Sequence, residues 1–452
     1  MNEILALSGV AQAALIRNRK ISPEELFQLY VERIAEVNPA INAVVELMQY
    51  SAPKPGPLSG VPFSIKDSIE VAGTVCSAGT LGYRNAPKST RDATLVARLR
   101  AAGAIPVART NIPDLLFAFE SDNLLFGRTN NPYDHSRTSG GSSGGEAALI
   151  ASCGSPFGLG SDAAGSVRLP AHYCGIASLK PTSGRLARTG HVPPAGGWVE
   201  ALWQIGPMAR HVEDLQALMP ILLGADGEDY TVIPMPYSDV PVENLRIAYF
   251  TDNGFAEPDA ETQAVVAEAG RALGAVENRP PGIERSCELE MMFLGADGGD
   301  GIREFLSSIG SHRTHPLLDG WLAKLEEFRT DVKGFASYYA IIDHFRAAMH
   351  ANLAINDVIL SPVSTSAAVL HGTSIEEKNF KGFSYTMTHN LTGWPAAVVR
   401  CGTSSSGLPI GVQIAGAPWR EDIVLGVARR LEEIFGGWRA APKELMAADE
   451  RR

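Results

Sequence analysis

The sequence predicts an α/β fold, in which helices cover a β-sheet. Two observations favour it. Helical and strand-like segments alternate along the chain, and 45% of the 452 residues are hydrophobic while 20% are charged. Alternation of the two element types is typical of layered α/β proteins, and this composition supports a large buried core. We therefore predict one large domain over residues 1–452, although two or three average domains also fit this length.

The first predicted helix has a complete set of start signals. Ser22 is a typical N-cap residue, Pro23 suits the first turn, and Glu25 is positioned for a capping box. Apolar residues then recur at helical spacing from Leu26 to Ile34. We predict that a helix begins at Ser22.

The remaining elements repeat the alternation. Their apolar spacing predicts strands at 60–65, 104–108, 156–160, 357–362 and 396–399, and helices at 92–102, 147–151, 212–223 and 421–435. Between about 225 and 345 the pattern weakens, and the middle is rich in loop-forming residues, as at 295–301. We predict that residues 225–345 are a variable excursion from the core on the substrate side.

Charge and cysteine content exclude several classes of function. The net charge is −11 and no lysine or arginine cluster stands out, which disfavours nucleic acid and anionic membranes as partners. The five cysteines are scattered, and neither a C-x-x-C pair nor an H-E-x-x-H motif occurs. We expect a reduced compartment and no metal or cofactor.

We expect neither a secretory signal nor a membrane-spanning segment. The first residues lack a basic stretch followed by an apolar one, and no apolar run reaches membrane-spanning length. We expect a soluble cytoplasmic protein, a monomer or homodimer, that acts on a small molecule.

Two glycine-flanked serines, Ser142 and Ser166, stand 24 residues apart. Glycine next to a hydroxyl lets backbone N–H groups turn towards a reacting oxygen, which a nucleophile needs. The G-x-S-x-G elbow at 141–145 is disfavoured, because turn formers rather than a strand precede it. A dinucleotide fingerprint at 158–163 is disfavoured too, because no acidic residue follows about twenty positions later.

Lys66 ends the strand predicted at 60–65. Taken alone it would more often be a surface lysine, and glycine-serine runs alone are more often flexible loops. Their joint occurrence in this order resembles the amidase signature family of serine hydrolases, most closely its fatty-acid-amide-hydrolase-like branch over residues 110–210. The matching stretches are 60–67 (GVPFSIKD), 140–145 (GGSSGG), 162–170 (DAAGSVRLP), 174–182, 206–210, 390–395 and 407–413, the last two resembling C-terminal strands of that family.

The resemblance implies a fold and a set of catalytic roles. The fold is a single domain with a central mixed β-sheet flanked by helices on both faces. Ser166 is implied as the nucleophile, Ser142 as a bridging serine with a cis peptide bond, and Lys66 as the base, with Ser143 in support. Burial beside an apolar strand would lower the pKa of Lys66 and allow this role without a histidine.

The same loop supplies the implied oxyanion hole. Its donors would be the backbone N–H groups of Ala163, Ala164, Gly165 and Ser166. The family commonly has glycine where this chain has Ala164, whose methyl group could tilt a donor or trim the acyl pocket. Asp162 and Arg168 bracket the loop; a buried pair that holds it is preferred to a solvated pair.

The function implied is hydrolysis of amide C–N bonds through an acyl-enzyme. Leu116, Phe117 and Phe119, together with residues 291–294, indicate an apolar substrate pocket. This favours hydrophobic or aryl amides, and admits esters and carbamates. Two alternatives stay open: the glutaminase subunit of a tRNA-dependent amidotransferase, and a non-catalytic binding protein on the same fold.

Overall fold

The computed structural model describes residues 2–194, 196–238, 242–442 and 445. The outermost residues of the predicted domain, Met1 and 446–452, lie outside this range. The strands are β1 (Val44–Leu47), β2 (Pro62–Lys66), β3 (Ile105–Thr110), β4 (Asn130–Asn131), β5 (Asp134–Thr138), β6 (Phe157–Asp162), β7 (Ala177–Lys180), β8 (Gln204–Ala209), β9 (Ile247–Tyr249), β10 (Val276–Glu277), β11 (Val358–Pro362), β12 (Ala396–Thr403) and β13 (Pro409–Gly416).

The helices alternate with these strands through most of the chain. They are α1 (Glu3–Ala6), α2 (Gly9–Arg17), α3 (Pro23–Ile41), α4 (Thr94–Ala101), α5 (Gly144–Ala151), α6 (Arg168–Cys174), α7 (Val212–Leu222), α8 (Ala260–Ala272), α9 (Ser286–Leu294), α10 (Asp300–Ser308), α11 (Pro316–Glu326), α12 (Val332–Asn352), α13 (Glu377–Gly382), α14 (Ser384–Leu391) and α15 (Glu421–Phe435). Short 3₁₀ helices lie at Leu81–Tyr83, Asp114–Leu116, Trp198–Leu202 and Ile283–Arg285.

One mixed sheet of eleven strands forms the centre, in the order β1-β3-β2-β6-β8-β7-β12-β13-β11-β9-β10. Strands β3, β2 and β6 are parallel to one another, while β8, β7, β12 and β13 pair antiparallel with their neighbours. Helices α4, α7, α8 and α15 contribute to one apolar cluster with the sheet, and α3, α5 and α6 contribute to another. The predicted single α/β domain with a mixed sheet and helices on both faces is confirmed.

The local start signals of α3 are confirmed. Ser22 caps the helix, and its side chain and that of Glu25 form both hydrogen bonds of a capping box. The strands and helices predicted from apolar spacing agree with the structure to within a few residues. Other elements, among them β7, β8 and the two short helices before α3, were not predicted. These elements are too short to show a clear period, and tertiary packing fixes them.

Two sequence interpretations need correction. The middle of the 225–345 region is not loop-rich, because α9 to α12 occupy most of it and the glycines at 295–299 form only the turn before α10. In the same region β9 and β10 extend the central sheet. Residues 390–395 are not a strand, since they hold the end of α14 and a turn before β12 begins at Ala396. In both cases the apolar runs in the sequence are short, and a short apolar run is compatible with either a helix or a strand.

Candidate active site

The parallel strands β2 and β6 end at the same edge of the sheet, and this brings their last residues together. Ser64 pairs with Gly158, and Ile65 with Leu159. Lys66, the last residue of β2, therefore lies beside Ser161: its Nζ is 3.0 Å from Ser161 Oγ and 3.3 Å from the Ser161 carbonyl oxygen. The carboxyl ends of parallel strands are where α/β sheets commonly bind ligands.

Ser142 comes to the same edge from the loop that precedes α5. Its Oγ lies 2.6 Å from Lys66 Nζ, and its peptide bond to Gly141 is cis. Only glycine fits at position 141, because the Cβ of any other residue would lie 2.5 Å from the Ala118 carbonyl oxygen. The loop is held by Ser121, whose hydroxyl donates to the Gly140 carbonyl oxygen and accepts from the Gly144 N–H.

Ser166 lies in the loop between β6 and α6. Its carbonyl oxygen accepts a hydrogen bond from the Ser143 N–H at 3.1 Å, which ties the two serine loops together. Ser143 Oγ also donates to the Ser161 carbonyl oxygen, at 3.3 Å. The side chains of Lys66 and Ser142 are thus in contact at one end of the sheet. The backbone N–H of Ser143 joins the Ser166 loop to the Ser142 loop, and Ser142 and Ser166 both line the cavity described below.

Asp162 and Arg168 hold this loop as a buried ion pair, as the sequence interpretation preferred. Both side chains are fully buried, and Arg168 Nη2 lies 2.8 Å from Asp162 Oδ1. Burial alone would raise the pKa of Asp162, but the Arg168 charge and hydrogen bonds from Arg168 and Asn390 outweigh it and lower that pKa. The carboxylate also accepts hydrogen bonds from the Gly165 and Val167 N–H groups.

One of these bonds involves a predicted oxyanion donor. The Gly165 N–H donates to Asp162 Oδ1 at 2.8 Å, so it is already engaged within the loop. The other predicted donors belong to Ala163, Ala164 and Ser166, which all line the cavity described below. Gly165 has a φ of +125°, and a Cβ there would lie 2.4 Å from Thr386 Oγ1. Its role is therefore to shape the loop.

Lys66 is fully buried, and this governs its protonation. Burial lowers its pKa from the ordinary value of 10.5 to about 7, against the opposing effects of the Asp162 and Glu146 charges. Glu146 lies in α5, and burial raises its pKa to about 7 despite hydrogen bonds from Ser64 and Thr110. At neutral pH a substantial fraction of Lys66 is an uncharged amine, which can accept a proton.

Asp67, the neighbour of Lys66, is directed into a different set of contacts. Its carboxylate pairs with Arg109 Nη2 at 2.5 Å and accepts a hydrogen bond from Ser77. It therefore belongs to the support of the strand and not to the Lys66 cluster.

Above these groups lies a cavity with about 890 Å³ of empty space, including its open mouth. Ser142, Ser161, Ser166 and His191 supply polar atoms at its base. Asp162, Ala163, Ala164 and Gly196 also line it, and the rest of the lining is apolar and consists of Leu115, Leu116, Phe117, Ala118, Phe119, Pro193, Pro194, Val199, Leu202, Trp203, Leu294 and Trp321. No lysine or arginine occurs among the described residues that line it.

The predicted pocket residues Leu116, Phe117 and Phe119 all line this cavity. Of the second predicted stretch, 291–294, only Leu294 does so, because the other side chains pack inside neighbouring apolar clusters. The α9 helix turns most of its apolar face towards the core. Trp321 of α11 was not predicted and packs against Phe119, with ring centroids 5.4 Å apart.

Ser161 and His191 are further polar residues that sequence reasoning missed. Ser161 carried a signal, since it stands just before Asp162 at the end of a strand. His191 carried none, because it lies in a loop far along the chain from Lys66. Among the described residues, no group of three or more histidine, cysteine or acidic side chains is arranged to hold a metal ion.

No helix in the described ranges combines the length and apolar character needed to cross a membrane. All five cysteines are buried free thiols.

Comparison with known proteins shows the family of this chain. The Amidase family model matches residues 25–425. The chain is 31% identical to human fatty-acid amide hydrolase 2, over 96% of this chain and 90% of that protein. It is 30% identical to one subunit of the glutamyl-tRNA(Gln) amidotransferase of Halothermothrix orenii, over 95% and 97% of the two chains.

A solved structure of 6-aminohexanoate cyclic dimer hydrolase in complex with substrate is similar throughout. The TM-score is 0.86 at 27% identity, and the match covers 98% of this chain and 99% of that one. The range matched by the family model, 25–425, includes the serine loops, the Lys66 strand and the helices of the 225–345 region. The chain therefore belongs to the amidase signature family and is an amide-hydrolysing enzyme.

Proposed function

We propose that this enzyme cleaves amides through an acyl-enzyme on Ser166, with Lys66 as base and Ser142 as proton relay. The observation that carries the proposal is the buried Lys66 amine, 2.6 Å from Ser142 Oγ and with a pKa of about 7. A buried amine of this kind removes a proton without help from a histidine. General bases work best when their pKa lies near the operating pH.

The reaction begins with two coupled proton transfers. Uncharged Lys66 takes the Ser142 hydroxyl proton while Ser142 Oγ takes the Ser166 proton, and Ser166 Oγ forms a bond to the substrate carbonyl carbon. The carbonyl π electrons move to oxygen and give a tetrahedral oxyanion. When the oxyanion collapses, the C–N bond breaks and the leaving nitrogen receives a proton from Ser142, which Lys66 replenishes. Water then cleaves the ester by the same relay.

The oxyanion is stabilised by backbone N–H groups of Ala163, Ala164 and Ser166. The Asp162–Arg168 pair supports this role, because it fixes the loop on which these groups lie. Donors already directed at the site of developing charge need no rearrangement during reaction.

The substrate is a hydrophobic or aryl amide, with esters and carbamates as further substrates. The apolar lining of the cavity supports this choice, because Phe117, Phe119 and Trp321 offer ring faces and edges to an aliphatic or aromatic acyl group. Esters and carbamates follow because the same acyl transfer accepts any carbonyl with a suitable leaving group.

The likeness to an amidotransferase subunit favours glutaminase activity as a second candidate. Glutamine carries a charged amino group and carboxylate, which a mostly apolar cavity desolvates at a cost. Ammonia release from free glutamine, measured with and without amidotransferase partner subunits, separates the two candidates.

Mass spectrometry after reaction with a fluorophosphonate tests the proposal. We expect one phosphonylated serine, Ser166, and no labelling of Ser166→Ala. A screen of chromogenic anilides, esters and carbamates of graded acyl length then defines the substrate class. Labelling of Ser143 would instead support the elbow motif at 141–145 and reject the relay.

A further inference from the structure

His191 lies at the base of the cavity, and its surroundings fix which ring nitrogen carries hydrogen. Nδ1 lies 3.0 Å from the Pro193 carbonyl oxygen, an atom that can only accept a hydrogen bond. Nδ1 therefore carries the hydrogen. Burial, helped by the nearby Lys66 and Arg188 charges, lowers the pKa of His191 to about 3 against the opposing effect of the hydrogen bond to Pro193. Nε2 of the neutral ring is then a hydrogen-bond acceptor.

Two hydroxyl groups face that acceptor. Ser161 Oγ lies 3.0 Å from Nε2 and Ser68 Oγ lies 3.1 Å from it. Nε2 has no hydrogen and one lone pair, so a hydrogen bond in either contact is donated by the hydroxyl, and the two hydroxyls compete for that lone pair. We infer that Ser161, at the shorter distance, is the donor. Its hydrogen is then directed at His191, and its oxygen is left to accept.

This orientation determines what Lys66 does. An uncharged lysine amine has two N–H groups and one lone pair. The two N–H groups are directed to Ser161 Oγ and to the Ser161 carbonyl oxygen, at 3.0 and 3.3 Å. The remaining contact, Ser142 Oγ at 2.6 Å, is then the one that meets the lone pair.

We propose that His191 is a positioning residue: it orients the Ser161 hydroxyl so that the lone pair of Lys66 faces Ser142. The inference rests on the proposed function. Without an acceptor at position 191, the Ser161 hydroxyl is free to donate to Lys66 and to compete with Ser142 for its lone pair. His191 reaches Lys66 through Ser161, but it also lines the cavity. A change in kcat at an unchanged KM is therefore the result that assigns its effect to the relay and not to substrate contact.

The loop that carries His191 is built to hold it. The Val192 N–H donates to the Ser68 carbonyl oxygen at 2.7 Å, and the Glu70 N–H donates to the Gly190 carbonyl oxygen at 2.8 Å. Residue 191 is also bridged to Ile69, just beyond β2. The imidazole packs on Trp203, with ring centroids 4.5 Å apart. The acceptor is therefore attached to the same strand end as Lys66.

The test compares His191→Phe with His191→Gln in hydrolysis of a medium-chain p-nitroanilide. Phe keeps a ring against Trp203 but offers no hydrogen-bond acceptor. We therefore expect kcat to fall about 10- to 100-fold, which corresponds to the loss of one hydrogen bond that acts on a group that becomes charged. KM should change little. The acid limb of the kcat/KM profile should move below pH 7, because a Ser161 hydroxyl that donates to the free amine stabilises it. Gln, whose carbonyl oxygen can accept, should recover part of kcat.

Two further variants identify the route of the effect. Ser161→Ala combined with His191→Phe should be no slower than the slower single variant, because both remove one contact. Ser68→Ala, which removes only the competing donor, is the matched control and should leave kcat and the pH profile unchanged. Additive losses in the double variant, or a raised KM at unchanged kcat, would overturn the inference.

The outcome is separable from that of the proposed function. Fluorophosphonate labelling of wild-type Ser166 and hydrolysis of the anilide test the proposed function alone, and their failure overturns both. An active, labelled wild type with an equally active His191→Phe variant overturns only the role of His191. Should the Phe variant fail to fold, the Gln variant and Ser161→Ala keep the same readouts.

Discussion

The two walls of the cavity are built in different ways. On the base side, Lys66, Ser142 and Ser161 are held by hydrogen bonds between neighbouring strand ends and the loop before α5. In the apolar part of the lining, Phe119 and Trp321 pack ring against ring, with centroids 5.4 Å apart. Directional bonds fix atoms for chemistry, whereas apolar packing tolerates changes of shape. We therefore predict that substitutions on the base side lower turnover for all substrates, and that those on the apolar side change which substrates are preferred.

The largest effects are expected from the reacting groups. Ser166→Ala and Lys66→Ala should each lower kcat by at least about 10⁴-fold, since nucleophile and base act as a unit. Ser142→Ala should leave a small residue of activity, because water can replace one hydroxyl in the relay. Initial rates with a p-nitroanilide measure all three. Full turnover by Lys66→Ala at neutral pH would reject the relay.

The burial of Lys66 also has a consequence for stability. Because its pKa is lowered from 10.5 to about 7, the unfolded state binds more protons between these values, and stability rises with pH there. Below pH 7 the penalty is complete, and above 10.5 it is absent. Relative to Lys66→Met, the wild type should gain up to about 5 kcal/mol of unfolding free energy across this range.

Urea denaturation of both proteins at several pH values from 7.5 to 9.5 measures that difference. Groups common to both proteins cancel, except those coupled to Lys66; Glu146 is one of these, and its pKa of about 7 lies below this pH range. If the unfolding free energies of the wild type and Lys66→Met changed with pH in the same way, Lys66 would have an ordinary pKa in the folded state. The base-side wall would then lack the uncharged amine on which the comparison depends.

The buried ion pair between Asp162 and Arg168, which holds the oxyanion loop, should contribute to the stability of the fold. Arg168→Met leaves the fully buried Asp162 carboxylate without its counter-charge, and should cost about 3–5 kcal/mol of unfolding free energy. Glu377→Gln is the matched control, because it breaks the exposed pair with Lys381 and should cost less than about 1 kcal/mol. Urea denaturation measures both. Equal costs would show that burial does not distinguish the two pairs.

The sequence predicted the base-side wall more completely than the apolar one, for a physical reason. Ser142 and Ser166 stand in glycine-rich motifs whose spacing is visible in the sequence. Their chemistry is encoded locally. The same holds for the start of α3, outside this wall, where Ser22 and Glu25 interact within one turn. The family resemblance then supplied Lys66 and the fold.

Contacts made at long range carried no such signal. His191 reaches Lys66 only because a loop after β7 folds back along β2, and Trp321 reaches Phe119 only because α11 packs over the 3₁₀ helix at Asp114–Leu116. Apolar periodicity in α9 to α12 indicates that a face is buried, but not what it is buried against. The engagement of the Gly165 N–H by Asp162 likewise depends on loop geometry that the motif alone does not determine.

The smallest effect is expected on the apolar wall and concerns selectivity. Trp321→Leu keeps an apolar side chain in α11 but removes the ring that meets Phe117 and Phe119. The loss of this contact should lower kcat/KM for aryl or short acyl anilides by about tenfold, while longer acyl chains, which fill the vacated volume, are hydrolysed at nearly the wild-type rate. Trp198→Leu, at a partly exposed tryptophan outside the lining, should leave the ratio of the two rates unchanged. If Trp321→Leu slowed all chain lengths equally, the apolar wall would act on the chemistry as the base side does, and the distinction between the walls would fail.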